Sequence, residues 1–159
     1  VRADLLEMNL GKKYDLIIMR SSLDYFPSKA MQVEVLKIIK NHLNQDGLFV
    51  NQPAYISNIE ERDNISKVYN MVDKIGKRLF QSEDLSSIYT EAGLGVPEKI
   101  GEGKVMEISE QDHIERYEIN QSEIKLIQEI IKNVQNNGTI TKDGYGLKFE
   151  FPIFLAKVY

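Results

Sequence analysis

The sequence predicts an α/β fold with parallel strand pairing, on three observations. A continuous apolar run, Tyr14-Asp15-Leu16-Ile17-Ile18-Met19, reads as a strand covered on both faces. Met31, Val35, Ile38, Ile39 and Leu43 then recur at helical spacing. A second strand, Gly47-Leu48-Phe49-Val50-Asn51-Gln52-Pro53, completes a strand–helix–strand unit. Such short joints imply parallel pairing and a right-handed crossover.

The elements follow in order. Leu10-Gly11-Lys12-Lys13 is the turn that enters the first strand. Pro27-Ser28 marks the start of the first helix, with Ser28 as its N-cap, and Asp46-Gly47 ends it, Gly47 taking the left-handed position. After a polar stretch, Ile65, Val68, Tyr69, Val72, Ile75 and Leu79 form the stripe of a second helix. Ser82 caps a third, with Glu83 and Asp84 against its positive end, and Ala92-Gly93 stops it. Weaker strand signals run from Val96 to Ser109, interrupted by Gly101 and Gly103. Asn120 and Glu123 form a capping box for a helix carrying Ile124, Ile127, Ile131 and Val134. Gly146 to Tyr159 reads as one long terminal strand with Leu147, Phe149, Phe151, Ile153 and Leu155 on one face. Pro152 cannot donate a ladder bond, so a bulge or an edge is expected there. Thr139 to Lys142, before Asp143-Gly144, is placed to form a hairpin with that strand.

Composition excludes several classes. The 159 residues are 42% hydrophobic, which a disordered chain is not, and are enough for one core without staples. With no cysteine there is no disulfide, thiolate metal site or cysteine nucleophile. A net charge of −4 attracts neither nucleic acid nor an acidic membrane surface. No apolar run approaches the ~20 residues of a membrane helix, so a soluble cytoplasmic protein is expected. The opening Val1-Arg2-Ala3 has neither an initiator Met nor a solvated tail, and reads as a cut.

In open parallel sheets ligands collect beyond the carboxyl ends of the strands. Met19-Arg20-Ser21-Ser22-Leu23-Asp24-Tyr25-Phe26 occupies that place, offering a cation, hydroxyls, a carboxylate and a ring. The same residues also suit an ordinary loop with a helix cap.

Several segments together resemble a class I S-adenosylmethionine-dependent methyltransferase. They are Ala3-Asp4-Leu5-Leu6, Lys13 to Met19, Leu43-Asn44-Gln45-Asp46-Gly47 with Leu48-Phe49-Val50, Phe80 to Leu85, Glu91-Ala92-Gly93-Leu94, and Phe149 to Tyr159. The resemblance rests on their order and spacing and spans nearly the whole chain. It implies a Rossmann-like three-layer sandwich whose last strand is antiparallel. Asp4 would accept a hydrogen bond from the adenine amine, and Leu5 would supply the neighbouring backbone N–H. Met19, Arg20 and Ser21 would line the cofactor, while Asp24 and Tyr25 would meet a small-molecule acceptor, with Asp24 as general base. His113, in the acidic stretch Glu110 to Glu115 beside Arg116-Tyr117, falls where the family places a substrate-facing lid. That stretch either raises its pKa or simply solvates it.

The family's glycine-rich turn and the acidic residue that holds the ribose hydroxyls are not found in this sequence. Residues 1–159 therefore read as a single partial domain, the carboxyl-terminal half, its first three strands preceding Val1. The strand at Tyr14–Met19 would lose an inner neighbour, and its open edge is expected to dimerise, rearrange or aggregate. Such a piece should bind S-adenosylmethionine poorly and not turn over. A noncatalytic α/β interaction module is the competing reading. His42, beside Leu43 on the inner side of its helix, is read as a satisfied, partly buried imidazole. No ligands cluster at metal-chelating spacing. The run Glu60-Glu61-Arg62-Asp63 is read as solvated surface.

Overall fold

A computed structural model describes residues 5–72, 79, 80 and 82–158. Strand β1 (Tyr14–Arg20) pairs in parallel with β2 (Leu43–Gln52), and helix α1 (Lys29–Asn41) connects them. The Ser28 hydroxyl accepts the Met31 N–H at 3.2 Å and caps α1 as expected. The helix closes earlier than expected. His42 ends it, and the left-handed residue is Asp46 at φ 62°, not Gly47. Gly47 is required for space instead, since a Cβ there would lie 2.8 Å from the Asn44 carbonyl.

Helices α2 (Ile59–Val72) and α3 (Ser82–Glu91) follow. Ser82 is the first helical residue of α3, and the preceding position lies outside the described residues, as does Ile75 of the expected second stripe. Strands β3 (Glu98–Glu102) and β4 (Met106–Ser109) lead to helices α4 (Glu110–Tyr117) and α5 (Gln121–Ile131). The Asn120–Glu123 capping box opens α5. Strands β5 (Gly138–Thr141), β6 (Gly144–Phe149) and β7 (Pro152–Lys157) end the chain, and β5 and β6 form the expected hairpin.

The long terminal strand is in fact two strands in two sheets. The first sheet runs β1-β2-β7-β3, with β7 antiparallel to both neighbours; the second runs β4-β6-β5. The chain crosses between them at Glu150–Phe151, where Glu150 exchanges backbone hydrogen bonds with Tyr55 and the Gly103 N–H reaches the Phe151 carbonyl. Pro152, lacking an N–H, starts β7 rather than interrupting a strand. The crossing also changes the alternation. Phe149 and Phe151 join the core of the second sheet, Phe154 and Ala156 that of the first, and Ile153 and Leu155 turn to the opposite face.

Helices α1 and α3 cover one face of the first sheet, burying Leu36, Ile39, Ile88 and Tyr89 with Phe49 and Phe154. The buried residues of α1 are Gln32, Val33, Val35, Leu36 and Ile39, a stripe rotated from the expected one, which leaves Met31 exposed. The second sheet packs with α2, α4 and α5 around Ile65, Val68, Tyr69, Ile124, Ile127 and Leu147. Glu61 is not solvated surface, as the charge run suggested. It is buried, and its carboxylate accepts the N–H groups of Gln135, Asn136 and Asn137, tying α2 to the segment after α5.

Among the described residues strand β1 has one partner, β2, and its outer edge is open. Leu16 and Ile18, on the face away from α1, are 49% and 68% exposed. Among the described residues no helix is long and apolar enough to cross a membrane, and no cluster of acidic residues and histidines is grouped to hold a metal ion.

Candidate functional site

The chain leaves β1 through a forced turn. Ser21 adopts φ 45°, a left-handed conformation uncommon outside glycine. The turn is held by the Ser21 N–H donating to the Gln52 carbonyl (2.9 Å) and the Ser22 hydroxyl donating to the Arg20 carbonyl (2.8 Å). A short 3-10 turn, Leu23–Tyr25, follows. Buried Gln32 on α1 holds it in place, its amide donating to the carbonyls of Leu23 (3.2 Å) and Phe26 (3.0 Å). A polar residue inside a helical stripe escapes a search for apolar periodicity, and Gln32 was not expected to matter.

Two hollows adjoin this turn. One, of about 430 Å³, runs along β1 and is lined by Leu5, Met8, Ile17, Met19, Arg20 and Ser22. The other, of about 170 Å³, lies between the turn and the second sheet. Its polar wall is Ser21, Asp24, Tyr25, Tyr69 and Arg116, and its apolar wall includes Ala54, Leu79, Met106, Ile108, Phe149 and Phe151. Of the residues expected to line a cofactor, Leu5, Met19 and Arg20 fall on the first hollow and Ser21 on the second. Asp4 lies outside the described residues. Asp24 and Tyr25, expected to meet an acceptor, both line the second hollow, Asp24 almost wholly buried and Tyr25 exposed.

His113 lies behind the second hollow. It is fully buried on α4, so the acidic stretch around it in the sequence does not solvate it. Its Nδ1 is 2.7 Å from the Tyr145 hydroxyl and its Nε2 is 3.3 Å from the Tyr69 hydroxyl. The rings of Tyr69, Tyr117 and Tyr145 surround it at 5.4–5.8 Å between centroids. Burial pushes the Tyr69 hydroxyl well above the usual phenol range, and Tyr117, Tyr25 and Asp24 add to this against an opposing pull from Arg116. Tyr69 therefore stays a neutral hydroxyl at physiological pH. The Asp112 carboxyl beside His113 is held below its ordinary value by hydrogen bonds from the Ser109 hydroxyl and N–H. The sequence placed Tyr69 in a helical stripe and Arg116 beside the expected lid, and gave neither a place on the hollow, which depends on how α2 and α4 pack. His42 has the expected satisfied role. Its Nε2 accepts the Leu10 N–H (3.2 Å) and its Nδ1 lies 2.8 Å from the Ile38 carbonyl.

No protein-family model matches the sequence, and no curated protein matches it. Similar solved structures exist. The YcgJ protein of Bacillus subtilis superposes with a TM-score of 0.74 at 14% identity, over 98% of this chain and 68% of that one. A protein of Bacillus halodurans assigned as a methyltransferase gives 0.73 at 13%, over 98% and 69%. An O-methyltransferase family protein of Burkholderia thailandensis gives 0.50 at 11%, over 99% and 35%. With the parallel β1–β2 pair, the antiparallel β7 between β2 and β3, and helices on the sheet, these likenesses establish that the chain has the class I S-adenosylmethionine-dependent methyltransferase fold.

Proposed function

We propose that this chain takes part in methyl transfer from S-adenosylmethionine to a small-molecule acceptor, as the carboxyl-terminal part of a larger methyltransferase domain. The observation that carries the reading is the turn at Arg20–Ser22, whose consecutive residues face two adjoining hollows. A donor in one and an acceptor in the other would meet across it. Leu5, Met19 and Arg20 on one hollow and Asp24 and Tyr25 on the other support the reading, and Ser21 departs from it.

The hollow along β1 suits the cofactor in size, lying within the roughly 300–1,000 Å³ of small-molecule sites. Its lining from Leu5, Met8, Ile17 and Met19 suits the apolar faces of an adenine, and the open β1 edge offers backbone donors and acceptors. Asp4 is proposed for the adenine amine on the resemblance alone. The ten glycines include no glycine-rich turn after a buried strand, so the methionine end would need a cradle from strands pairing with the β1 edge. The cofactor supplies a methyl group made electrophilic by its sulfonium. What remains for the protein is alignment, which accounts for ~7–11 kcal/mol in well-oriented systems. Ser21 and Tyr25 orient the acceptor, the apolar wall excludes water, and Asp24 takes the proton from its hydroxyl.

Calorimetry tests the reading on this chain and on a longer one that supplies a glycine-rich turn. The longer protein should bind S-adenosylmethionine with micromolar affinity and this chain at least about tenfold more weakly. Loss of the longer protein's binding on Met19→Asp, with its fold retained, would support the assignment. No binding by either protein would refute it and favour a noncatalytic module.

A further inference from the structure

Two charged side chains line the second hollow, and they arrive from different elements with opposite sign. Asp24 comes from the turn after β1 and Arg116 from the last turn of α4. Among the described residues Arg116 makes no ion pair, with Asp24 or with any other carboxylate. Its own helix explains part of this. Asp112 stands four residues before it, where a helical ion-pair partner belongs. That carboxylate reaches back to the start of α4 instead. Its Oδ2 accepts the Ser109 hydroxyl at 2.6 Å and the Ser109 N–H at 2.8 Å, closing the capping box. The guanidinium keeps its donors for water or for a molecule in the hollow.

We propose that Arg116 is a specificity-determining residue of this hollow, holding a carboxylate of the acceptor apart from the hydroxyl that Asp24 deprotonates. The proposal rests on the reading of the hollow as the acceptor side. It names the ligand's chemistry: a hydroxyl, an apolar body and a carboxylate on one small molecule. A guanidinium and a carboxylate are both planar and match in two parallel hydrogen bonds, so the contact fixes orientation as well as position. The two charges also order the molecule. Beside Asp24, which is buried and poorly screened, a carboxylate would meet a like charge, and beside Arg116 it meets the opposite one. Leu79, Ile108, Phe149 and Phe151 offer the body an apolar wall. The volume, about 170 Å³, is close to the ~150 Å³ of an engineered cavity that holds benzene, so that body is about one ring in size. Arg116 is exposed, so a carboxylate on it keeps part of its hydration and the desolvation cost is small. A phosphate monoester fits less well, bringing about −1.5 to −2 charges at pH 7 to one guanidinium, with Asp24 in the same hollow.

Calorimetry on this chain, without a methyl donor, tests the contact. The probes are benzoate, its neutral isostere benzamide, and phenyl phosphate. Benzoate should bind about tenfold more tightly than benzamide at low ionic strength, and about 1 M salt should narrow the margin. Arg116→Gln should weaken benzoate about tenfold and keep benzamide within twofold, which also shows that the hollow is intact. Because Arg116 is exposed, the urea midpoint of that variant should stay where it is. Phenyl phosphate should bind no more tightly than benzoate. The inference is overturned if benzoate does not bind at millimolar concentration, if it binds no better than benzamide, or if its margin over benzamide is unchanged in Arg116→Gln. Tighter binding of phenyl phosphate would overturn it as well, by making the anion a phosphate. No S-adenosylmethionine is present, so failure here is separate from failure of the methyl-transfer reading, which the longer protein tests.

Discussion

The two sheets satisfy their polar and apolar groups by opposite means. Around the second sheet, groups that water would ordinarily serve are met inside the protein. Glu61 is bonded by three backbone N–H groups, His113 by two tyrosines, and Asn120 and Glu123 cap α5 reciprocally. Among the described residues, helices cover the first sheet on one face. Tyr89 and Phe49 pack beneath it, while Leu16 and Ile18 face outward on a strand with an open edge. The candidate cavity lies where these regions meet, with the Ser21–Tyr25 turn from one and Tyr69 and Arg116 from the other. The lesson is that the closed region can hold a site in shape, while the open edge leaves backbone groups available to another strand.

The largest effect should come from unfastening the closed region. Glu61→Gln removes the charge that organises residues 135–137 and sets an amide N–H₂ against backbone N–H donors. The cost should be about 3 kcal/mol, read as a lower urea midpoint at constant slope. The wild type adds a pH signature. Burial pushes the Glu61 carboxyl upward, but the bonds from Asn137, Asn136 and Gln135 outweigh it, and the net shift is below the ordinary 4.5. A carboxylate with a depressed folded value contributes stability above its unfolded value and loses it as pH falls through the folded one. Stability should therefore decline below about pH 4.5 in the wild type and decline less in Glu61→Gln. Equal acid sensitivity of the two proteins would break the contrast between the regions.

Next in size is the open edge. The chain should self-associate through β1, with sedimentation velocity showing a concentration-dependent shift. Ile18→Lys puts a charge beside that edge on an outward-facing residue, so folding should change by less than about 0.5 kcal/mol while the dimer dissociation constant rises about tenfold. A wild type that stays monomeric at high concentration would remove the basis for calling this side unfinished.

The same contrast explains what the sequence made legible. Apolar periodicity and caps placed α1, β1, β2, α5 and the β5–β6 hairpin, because each is fixed by neighbours in the chain. The turn after β1 was marked as a candidate site because the carboxyl end of a parallel strand is where ligands collect. Buried polar residues were not. Gln32, Glu61 and His113 have surface-like chemistry, and their burial depends on partners 9 to 76 residues away. Helix α4 was missed for the same reason, since its one fully buried residue is a histidine. Pro152 was rightly marked as unable to continue a ladder, but its meaning, a change of sheet, depends on Tyr55 and Gly103. Tyr69 and Arg116 reach the cavity from α2 and α4, and no local pattern joins those helices.

The smallest effect compares two of the helix caps, Ser28 on α1 and Asn120 on α5. Ser28 accepts one N–H, from Met31, at an exposed position. Asn120 accepts two, from Ser122 and Glu123, and its own N–H is taken by the Glu123 carboxylate at 2.7 Å. Replacing Ser28 by Ala should cost about 0.5–1 kcal/mol, and replacing Asn120 by Ala about 1–2 kcal/mol. The order matters more than either value, because both helices bury an apolar stripe and differ mainly in how fully their first turns are served. Urea unfolding of the two variants would read it. Ser28→Ala should also loosen the first turn of α1, where Gln32 grips the Leu23 and Phe26 carbonyls, and so speed hydrogen exchange at the Tyr25 and Phe26 amides more than Asn120→Ala does despite its smaller stability cost. If Asn120→Ala sped that exchange as much, the turn after β1 would depend on the closed region, and Gln32 would lose its part in holding it.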